Sequence, residues 1–450
     1  MDAFPDELLL MVLSYIDDAL TLLDAVPLVC KRWHRLSRDP GAWNNATVSI
    51  VGCSYDEEGC YSKKHENHDK ILKAARILLH APALRRVCFD CPSDSSDLLS
   101  CPYDKETMAS ALVRSRAEVH GIVFPQPDFW GSSASFPDFL RQALTPEGLS
   151  TLVDFLSRNS SHVRYLKLGH TLQAGKELLR ALGQCQNLEE LHLMLSDGPR
   201  YKGELRGQRL PNLKRLTLGA SRYKVRGCRA FLRDLRGCVA QSVRHVHCEY
   251  WCSSSEDVLA ELSQCVELRS LRCGVEGVAF VKTLVRLRSL SLLIEDGDQE
   301  QQRELCTVER ELRACGELQS LQELRLDDSH FFVHEHRPAL SELLKTLCTK
   351  TPNLMHLSTN GMLEKVFPET VIGLFKSLPR LESVHIDQIW FKCLSKLTEA
   401  EVGGIKRISG TVTYRKGEGD SCRAALEQFK RQRPELDCRL TDREYTYCRN

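Results

Sequence analysis

A repeated pattern of apolar residues constrains the fold of this chain more than any other feature. The order apolar-x-x-apolar-x-apolar occurs nine times, and the 218 residues from Val163 to Leu381 hold eight steps of about 27 residues each. The copies are Val163-Leu166-Leu168, Leu188-Leu191-Leu193, Leu213-Leu216-Leu218, Val243-Val246-Cys248, Leu268-Leu271-Cys273, Leu287-Leu290-Leu292, Leu321-Leu324-Leu326, Leu354-Leu357-Thr359 and Leu381-Val384-Ile386. Each copy predicts a short strand with one buried face. A period of this length indicates stacked units that share one core.

Weaker copies extend the pattern in both directions. Leu84-Val87-Phe89 and Val119-Ile122-Phe124 precede it, and a further strand is expected near Ile405–Ile408, before a closing helix over 421–429. The sequence resembles a leucine-rich repeat array. The resemblance implies an α/β solenoid with short parallel strands inside and helices outside.

The stretch from Phe4 to Trp43 has a different, helical pattern. Apolar residues at helical spacing predict a first helix with Leu8, Leu9, Val12, Leu13 and Ile16, a second with Leu20, Leu22, Leu23 and Val26, and a third from Pro27 through Val29, Cys30, Trp33 and Leu36. We expect Trp33 in the core of this three-helix unit. Because so small a unit cannot bury all its apolar residues, some of them are expected to meet a partner.

This stretch resembles the F-box. The matching residues are Phe4-Pro5-x-Glu7-Leu8, Tyr15-Ile16, and Leu28-Val29-Cys30-Lys31-Arg32-Trp33 with Leu36 and Trp43. Phe4 replaces the usual leucine, and an aspartate of the family pattern is displaced to Asp18. The resemblance implies docking onto the Skp adaptor of a cullin-RING ubiquitin ligase. The adaptor-binding residues would be Phe4, Pro5, Leu8, Leu9, Val12, Leu13, Ile16, Leu22, Val29 and Trp33.

The predicted domains are an F-box over residues 1–46 and repeats over 47–450, with insertions near 53–69 and 125–146. An F-box followed by such repeats is a known family architecture. It implies the substrate receptor of an SCF-type ubiquitin ligase, without catalytic residues of its own. The second insertion contains Phe129, Trp130, Phe136 and Phe139, which form either a binding flap or a loop packed on its own aromatics. We favour the second interpretation.

Composition excludes several other classes of protein. The net charge of +1 gives no general argument for nucleic-acid or membrane binding, and no apolar run reaches eighteen residues. The acidic Asp2, Asp6 and Glu7 argue against a signal peptide. The 20 cysteines are scattered, and Cys185, Cys265 and Cys315 each follow a helical segment, as small buried residues would in a reducing compartment. We therefore expect a cytoplasmic or nuclear protein.

Motifs for catalysis or for a cofactor are not found. Cys53, Cys60, His65 and His68, or Cys88, Cys91 and Cys101, could be considered as zinc ligands, but neither set has the spacing of a standard finger. We expect no metal and no cofactor. Phosphate loops, nucleophile elbows and dinucleotide-binding glycine patterns are absent from the sequence.

The charge pattern suggests where a protein target would bind. Residues that alternate with the buried leucines share one face of the sheet, and on it we predict a substrate site formed by Lys167, Arg215, His247, Arg272 and Arg325. Such a cationic row favours an acidic or phosphorylated protein. The alternative is an ordinary solvated face. The segment Arg200–Arg236 is also basic, with twelve Lys or Arg against Glu204 and Asp234.

Two other functions remain open. A stand-alone repeat inhibitor or scaffold would use the N-terminal helices only as a cap, and co-purification of the adaptor would separate it from a ligase subunit. A nucleic-acid binder using the basic segment is less favoured, because Tyr201 and Tyr223 provide too few interleaved aromatic residues for base stacking.

Overall fold

The computed structural model describes residues 4–51, 62–90, 102–123, 146–168, 175–195, 201–220, 228–249, 260–274, 277–294, 306, 309–314, 316–328, 337–360, 368–390, 394, 404–414 and 417–444. The chain forms two compact units, Met1–Val243 and Arg244–Asn450. Every helix within the described ranges is too short or too polar to cross a bilayer.

The chain begins with a small helical subdomain. Its segments are the helix Asp6–Leu13, a π-helical turn Thr21–Ala25, the helices Val26–Val29 and Lys31–Leu36, and a 3-10 turn Pro40–Trp43. The third helix begins at Lys31 and not at Pro27 as predicted, because the backbone is extended at Cys30, with φ −167° and ψ 170°.

The tryptophan in the core of this subdomain is Trp43. Its side chain is 1% exposed, and its indole N–H donates to the Ser37 carbonyl at 2.6 Å. Trp33 is only partly buried, so the expectation that it is a core residue is wrong. The reason is that the six-residue helix Lys31–Leu36 directs only Leu36 fully into the core.

The first unit contains parallel strands and a layer of helices. The strands are β1 Thr47–Val51, β2 Ala83–Leu84, β3 Arg86–Asp90, β4 Glu118–Val119, β5 Gly121–Val123, β6 Tyr165–Leu168, β7 Glu190–Leu195 and β8 Arg215–Ala220. The sheet order is β1-β3-β5-β6-β7-β8, and β2 pairs separately with β4. The helices are Ser62–His80, Pro102–Arg114, Pro146–Arg158, Gly175–Gln184 and Cys228–Val239. The first four pack against one another in chain order.

The second unit repeats this arrangement. Its parallel strands, in sheet order, are β9 His245–Glu249, β10 Ser270–Gly274, β11 Ser289–Ile294, β12 Glu323–Asp328, β13 His356–Asn360, β14 Ser383–Trp390, β15 Arg407–Tyr414 and β16 Asp437–Glu444. The helices are Val278–Val281, Arg337–Lys350, Pro368–Ser377 and Gly419–Gln432. A bulge separates Ile386 from Ile389, and opposite it Gly410 has φ +135°. A Cβ on Gly410 would lie 1.6 Å from the Ile386 carbonyl oxygen.

The nine predicted strands are confirmed. In each copy all three positions of the pattern are buried. Even the polar Thr359, at the last position of its copy, is only 1% exposed. The predicted fold class, α/β with leucine-rich-repeat-like parallel strands after an F-box-like unit, is therefore confirmed. Strands β1 and β16 were not predicted, because neither carries the three-position pattern.

The predicted insertions fall partly outside the described residues. Residues 62–69 belong to the helix Ser62–His80, and residues 53–61 lie outside the described ranges, so the bounds of the first insertion stay a prediction. Of the second insertion only Pro146 is described, as the first residue of a helix, and its aromatic residues lie outside the described ranges.

Backbone hydrogen bonds hold successive repeats at a fixed spacing. One carbonyl just before a strand accepts two N–H groups from the next repeat, as the His120 carbonyl does from Arg164 at 2.7 Å and Tyr165 at 3.1 Å. The Arg164 carbonyl in turn accepts from residues 189 and 190. Asparagines just before the first leucine of a repeat add side-chain bonds, such as Asn187 Nδ2 to the Ser161 carbonyl at 2.7 Å. The repeats are thus joined outside their strands as well as within them.

Candidate functional site

Exposed apolar side chains are concentrated in the N-terminal subdomain. Seven of the eleven exposed large apolar residues in the described part of the chain lie between residues 4 and 29, while the other four are scattered. We call the seven the apolar surface: Phe4, Leu8, Met11, Val12, Tyr15, Leu28 and Val29. Leu28 is 85% and Tyr15 77% exposed. So many exposed apolar groups within a segment this short indicate a surface that binds another molecule.

The structure divides the predicted adaptor residues into two groups. Those that reach solvent are Phe4, Pro5, Leu8, Val12 and Val29, with Ile16 and Trp33 partly exposed. Leu9, Leu13 and Leu22 are buried in the subdomain, at 6%, 1% and 0% exposure, and this burial removes them from any contact surface. That the exposed residues bind an adaptor stays a prediction.

Three members of the apolar surface, Met11, Tyr15 and Leu28, are not among the residues predicted to bind the adaptor. Met11 and Tyr15 follow Leu8 by three and seven residues, so Met11 shares its face of the first helix and Tyr15 continues that face just after the helix ends. The same apolar run also contains the buried Leu9 and Leu13, and spacing alone does not say which stripe faces inwards. Leu28 was missed because it lies in a four-residue helix that buries only Val26.

An ion-pair cluster fixes the first helix against the third. Arg32 Nε donates to Asp6 Oδ1 at 2.8 Å, Arg35 also pairs with Asp6, and Arg32 donates to the Phe4 carbonyl. These contacts hold the start of the first helix, and with it Phe4 and Leu8, in one position. This part of the apolar surface is therefore held in place by contacts within the subdomain.

Asp18 caps the second helical segment. Its carboxylate accepts the Leu20 N–H at 3.2 Å, the Thr21 N–H at 3.0 Å and the Thr21 hydroxyl. The hydroxyl bond from Thr21, with the two backbone bonds, holds the pKa of Asp18 below its usual range. The displaced aspartate of the family pattern is thus a helix cap here.

In the second unit, two of the predicted substrate residues meet at a buried carboxylate. Arg272, Ser291 and Arg325 are register partners across β10, β11 and β12. Asp327 is 4% exposed; it accepts Arg325 Nε at 2.7 Å and Ser291 Oγ at 3.1 Å, and Arg272 lies 3.3 Å away. We call these four residues the Asp327 cluster. The sequence prediction counted the cations but missed Asp327, which follows Arg325 by two residues and so shares its side of the strand.

The other predicted substrate residues are placed as follows. His247 is the register partner of Arg272 in the second unit. Lys167 and Arg215 belong to the first unit, where Lys167 is the register partner of His192 and Arg215 forms an ion pair with Glu190. A single cationic row formed by all five residues stays a prediction.

The basic segment Arg200–Arg236 uses its first tyrosine for packing. The Tyr201 hydroxyl donates to Asp234 at 2.8 Å and accepts the Leu205 N–H, and its ring packs edge-on against Phe231 at 5.4 Å. Burial is the main cause that raises the pKa of Tyr201. Tyr201 is therefore a structural residue and not a stacking platform, while Tyr223 lies outside the described residues.

Seven of the cysteines that the structure describes are buried and act as packing groups. Cys185 and Cys265 are buried, as predicted, and Cys315 lies outside the described residues. Burial raises the pKa of Cys185 and of Cys348 to about 12, which leaves both thiols protonated at neutral pH. Of the zinc candidates, Cys53, Cys60, Cys91 and Cys101 lie outside the described residues.

Comparisons with known proteins agree with the geometry at the N-terminus. Residues 1–49 match the F-box-like family, so the chain begins with an F-box-like domain. No curated protein sequence matches the chain. Among solved structures, the crystal structure of the Rad7 and Elc1 complex in yeast aligns over 90% of this chain and 88% of that chain, with 12% identity and a TM-score of 0.35. A TM-score this low does not show a shared fold.

Proposed function

We propose that the chain is the substrate-recognition subunit of an SCF-type ubiquitin ligase, active in the cytoplasm or nucleus. Its F-box-like domain docks the Skp adaptor, and its repeats hold a protein target. The observation that supports this most is the apolar surface, which lies entirely within the residues that match the F-box-like family.

The chemistry of the apolar surface fits an obligate partner better than a transient one. Its members are large apolar groups, and binding removes them from water at about 25 cal/mol per Å² of buried apolar area. The Asp6 ion pairs hold this surface in place before binding, so little conformational entropy is lost when the adaptor docks.

The mechanism is proximity. The F-box-like domain fixes the chain to the ligase, the repeats fix a target lysine near the charged ubiquitin carrier, and other subunits supply the transfer chemistry. Holding two reactants together replaces a bimolecular encounter with an effectively unimolecular one. The chain contributes no catalytic residue to this step.

The target surface is proposed to be acidic or phosphorylated. In the Asp327 cluster two guanidinium groups surround one carboxylate, so these four residues together carry one net positive charge. Because Asp327 holds Arg325 by its Nε, the outer nitrogens of that guanidinium remain able to point away from the sheet. Guanidinium groups held in this way recognise carboxylates and phosphates well.

A stand-alone scaffold is the second candidate, and one observation favours it. The N-terminal subdomain hydrogen-bonds the start of the repeats: the Thr47 N–H donates to the Asp17 carbonyl at 3.2 Å, and the Arg85 N–H donates to the Ala46 carbonyl at 2.8 Å. It therefore also acts as a cap. A cap alone, however, gives no reason for seven exposed apolar residues.

Adaptor capture separates the two candidates. In a pull-down of the full chain with purified Skp adaptor, replacing Pro5, Leu8 and Val12 together by alanine should abolish binding, because all three side chains are exposed. The same exposure means that the variant should fold, as circular dichroism would show. Wild-type capture by this triple variant would refute the proposal.

A matched control uses exposed apolar residues elsewhere. Leu72, Val113 and Val285 are 41%, 54% and 78% exposed and lie outside the F-box-like domain. Their joint replacement by alanine removes a comparable apolar area and should leave adaptor capture unchanged. If both triple variants lose binding equally, the apolar surface has no special role.

A further inference from the structure

A cluster of three potential metal ligands lies at the loop edge of the first unit. One ligand atom each of Glu118, His120 and His162 can be chosen so that all three lie within 4.8 Å of one another. His162 Nδ1 and Glu118 Oε2 are 3.7 Å apart. Donor atoms around a tetrahedral zinc, at bonds of about 2.0–2.1 Å, are about 3.4 Å apart, so small side-chain rotations would close the cluster on one ion.

The backbone holds the three ligands in place. Glu118 and His120 are two residues apart around the buried Val119, so their side chains leave the same side of the chain. The Glu118 N–H donates to the Pro82 carbonyl and the His120 N–H to the Leu84 carbonyl, both at 3.0 Å. These bonds fix the two positions to the preceding repeat.

Asn159 joins these two ligands to the third. This buried side chain accepts the Val119 N–H at 2.8 Å through Oδ1 and donates to the Phe155 carbonyl at 3.1 Å through Nδ2. Its backbone carbonyl accepts the His162 N–H at 2.8 Å. One buried residue thus positions the loop with Glu118 and His120 and the loop with His162.

We propose that Glu118, His120 and His162 bind a divalent transition-metal ion of the zinc class and thereby link two successive repeats. Two imidazoles and one carboxylate form a mixed nitrogen and oxygen set that suits zinc better than calcium or magnesium, which prefer oxygen ligands. Three protein ligands leave a fourth position for water or for a group from a partner.

The surrounding charges are compatible with such an ion. Glu118 supplies a negative charge, and Arg164 is the nearby cation that opposes binding. The side chains of His162 and Glu118 are 38% and 47% exposed, so an ion has access from solvent.

Metal titration of the reduced full chain tests this proposal. We expect isothermal titration calorimetry with Zn²⁺ to show one bound equivalent with micromolar or tighter affinity. His120→Gln and His162→Gln should each weaken this affinity by at least about 100-fold, since even changes outside the ligand set cost 10- to 100-fold. Co²⁺ bound at the same site should show visible ligand-field bands that both variants lose. The spectrum should lack the thiolate charge-transfer band that a cysteine site would give.

Two controls keep the result specific. His356→Gln with His385→Gln removes two exposed histidines of the second unit and should leave the zinc titration unchanged. Glu118→Gln, which keeps the shape of the side chain, serves if a histidine variant fails to fold, and it should also lose the equivalent. The proposal would be overturned by a millimolar zinc affinity of the wild type. It would also be overturned if Glu118→Gln still bound the equivalent of Zn²⁺, or if the histidine control lost it to the same extent.

Discussion

Replacing Asp327 by asparagine should destabilise the second unit and strengthen its binding to anions. The carboxylate is almost fully buried and lies within 2.7–3.3 Å of Arg325 Nε, Ser291 Oγ and an Arg272 nitrogen. Asparagine has nearly the same shape but no charge. The substitution therefore removes the negative charge between two guanidinium groups without opening a cavity.

The size of the effect follows from the exposure of the arginines. A hydrogen bond to a charged group contributes about 1.5–3 kcal/mol when it is well shielded. The Arg272 and Arg325 side chains are 39% and 47% exposed, so water screens both interactions, and asparagine keeps one acceptor oxygen. We expect a loss of about 1–2 kcal/mol in the free energy of unfolding. For a unit of this size, that lowers the melting midpoint by about 2–8 °C.

Urea unfolding followed by circular dichroism measures the stability, and fluorescence anisotropy with an acidic phosphopeptide at two salt concentrations measures anion binding. Asp420→Asn is the matched control, because it removes the same charge from a side chain that is 98% exposed. It should change stability by less than about 0.5 kcal/mol. If Asp327→Asn is as stable as the wild type, the cluster is effectively solvated. If both variants bind the peptide equally, net charge and not the Asp327 cluster controls anion binding.

Three further predictions concern stability. Trp43→Ala should cost about 3–5 kcal/mol in thermal unfolding because Trp43 is fully buried, and Trp33→Ala clearly less. Gly410→Ala should lower the free energy of unfolding by about 2 kcal/mol or more, because the new Cβ meets a backbone carbonyl. Gly373→Ala, in an open helical position, should raise it by about 0.5–1 kcal/mol. Asp18→Ala should cost about 1 kcal/mol at neutral pH. The difference in the free energy of unfolding between the wild type and Asp18→Ala should be complete above the ordinary pKa of 3.8. It should be lost as the pH falls through the lowered pKa of folded Asp18, as acid titrations of both proteins would show.

Each of these comparisons has an outcome that contradicts its reasoning. Equal losses at the two tryptophans would mean that the core of the N-terminal subdomain is not where the structure places it. A Gly410→Ala variant as stable as Gly373→Ala would mean that the β14–β15 bulge relaxes freely. A stability difference at Asp18 that persists in acid would mean that its carboxylate does not act as a charged cap.

The strands were predictable because their signal is redundant. Each repeat supplies three apolar positions that must all be buried for neighbouring strands to stack, and nine copies set the period despite irregular spacing. The N-terminal subdomain was predicted less well. There, neighbouring apolar residues such as Leu8 and Leu9 lie about 100° apart around the first helix, and only the packing of that helix shows which one is buried.

The contents of the candidate sites depend on contacts that the sequence does not display. Asp327 pairs with Arg272, which lies two strands away in the sheet and 55 positions earlier in the sequence. A prediction that considers only the cations on the strand face omits this carboxylate. The cluster of Glu118, His120 and His162 forms because Asn159 bonds one loop to the next. Short metal motifs cannot show it, because one repeat contributes two ligands and the following repeat the third.

The contact between the N-terminal subdomain and β1 limits how this chain can be engineered. In the described sheet β1 has a strand neighbour on one side only, and its first residue, Thr47, is bonded to Asp17 and bridged to Asp18. A truncated chain that began at residue 47 would lose these bonds at Thr47 and leave the first end of an edge strand uncovered, where other molecules can pair with it. Exchanging the F-box-like domain for that of another protein would have the same result unless the donor domain also bonded to Thr47. The domain therefore cannot be treated as an interchangeable tag.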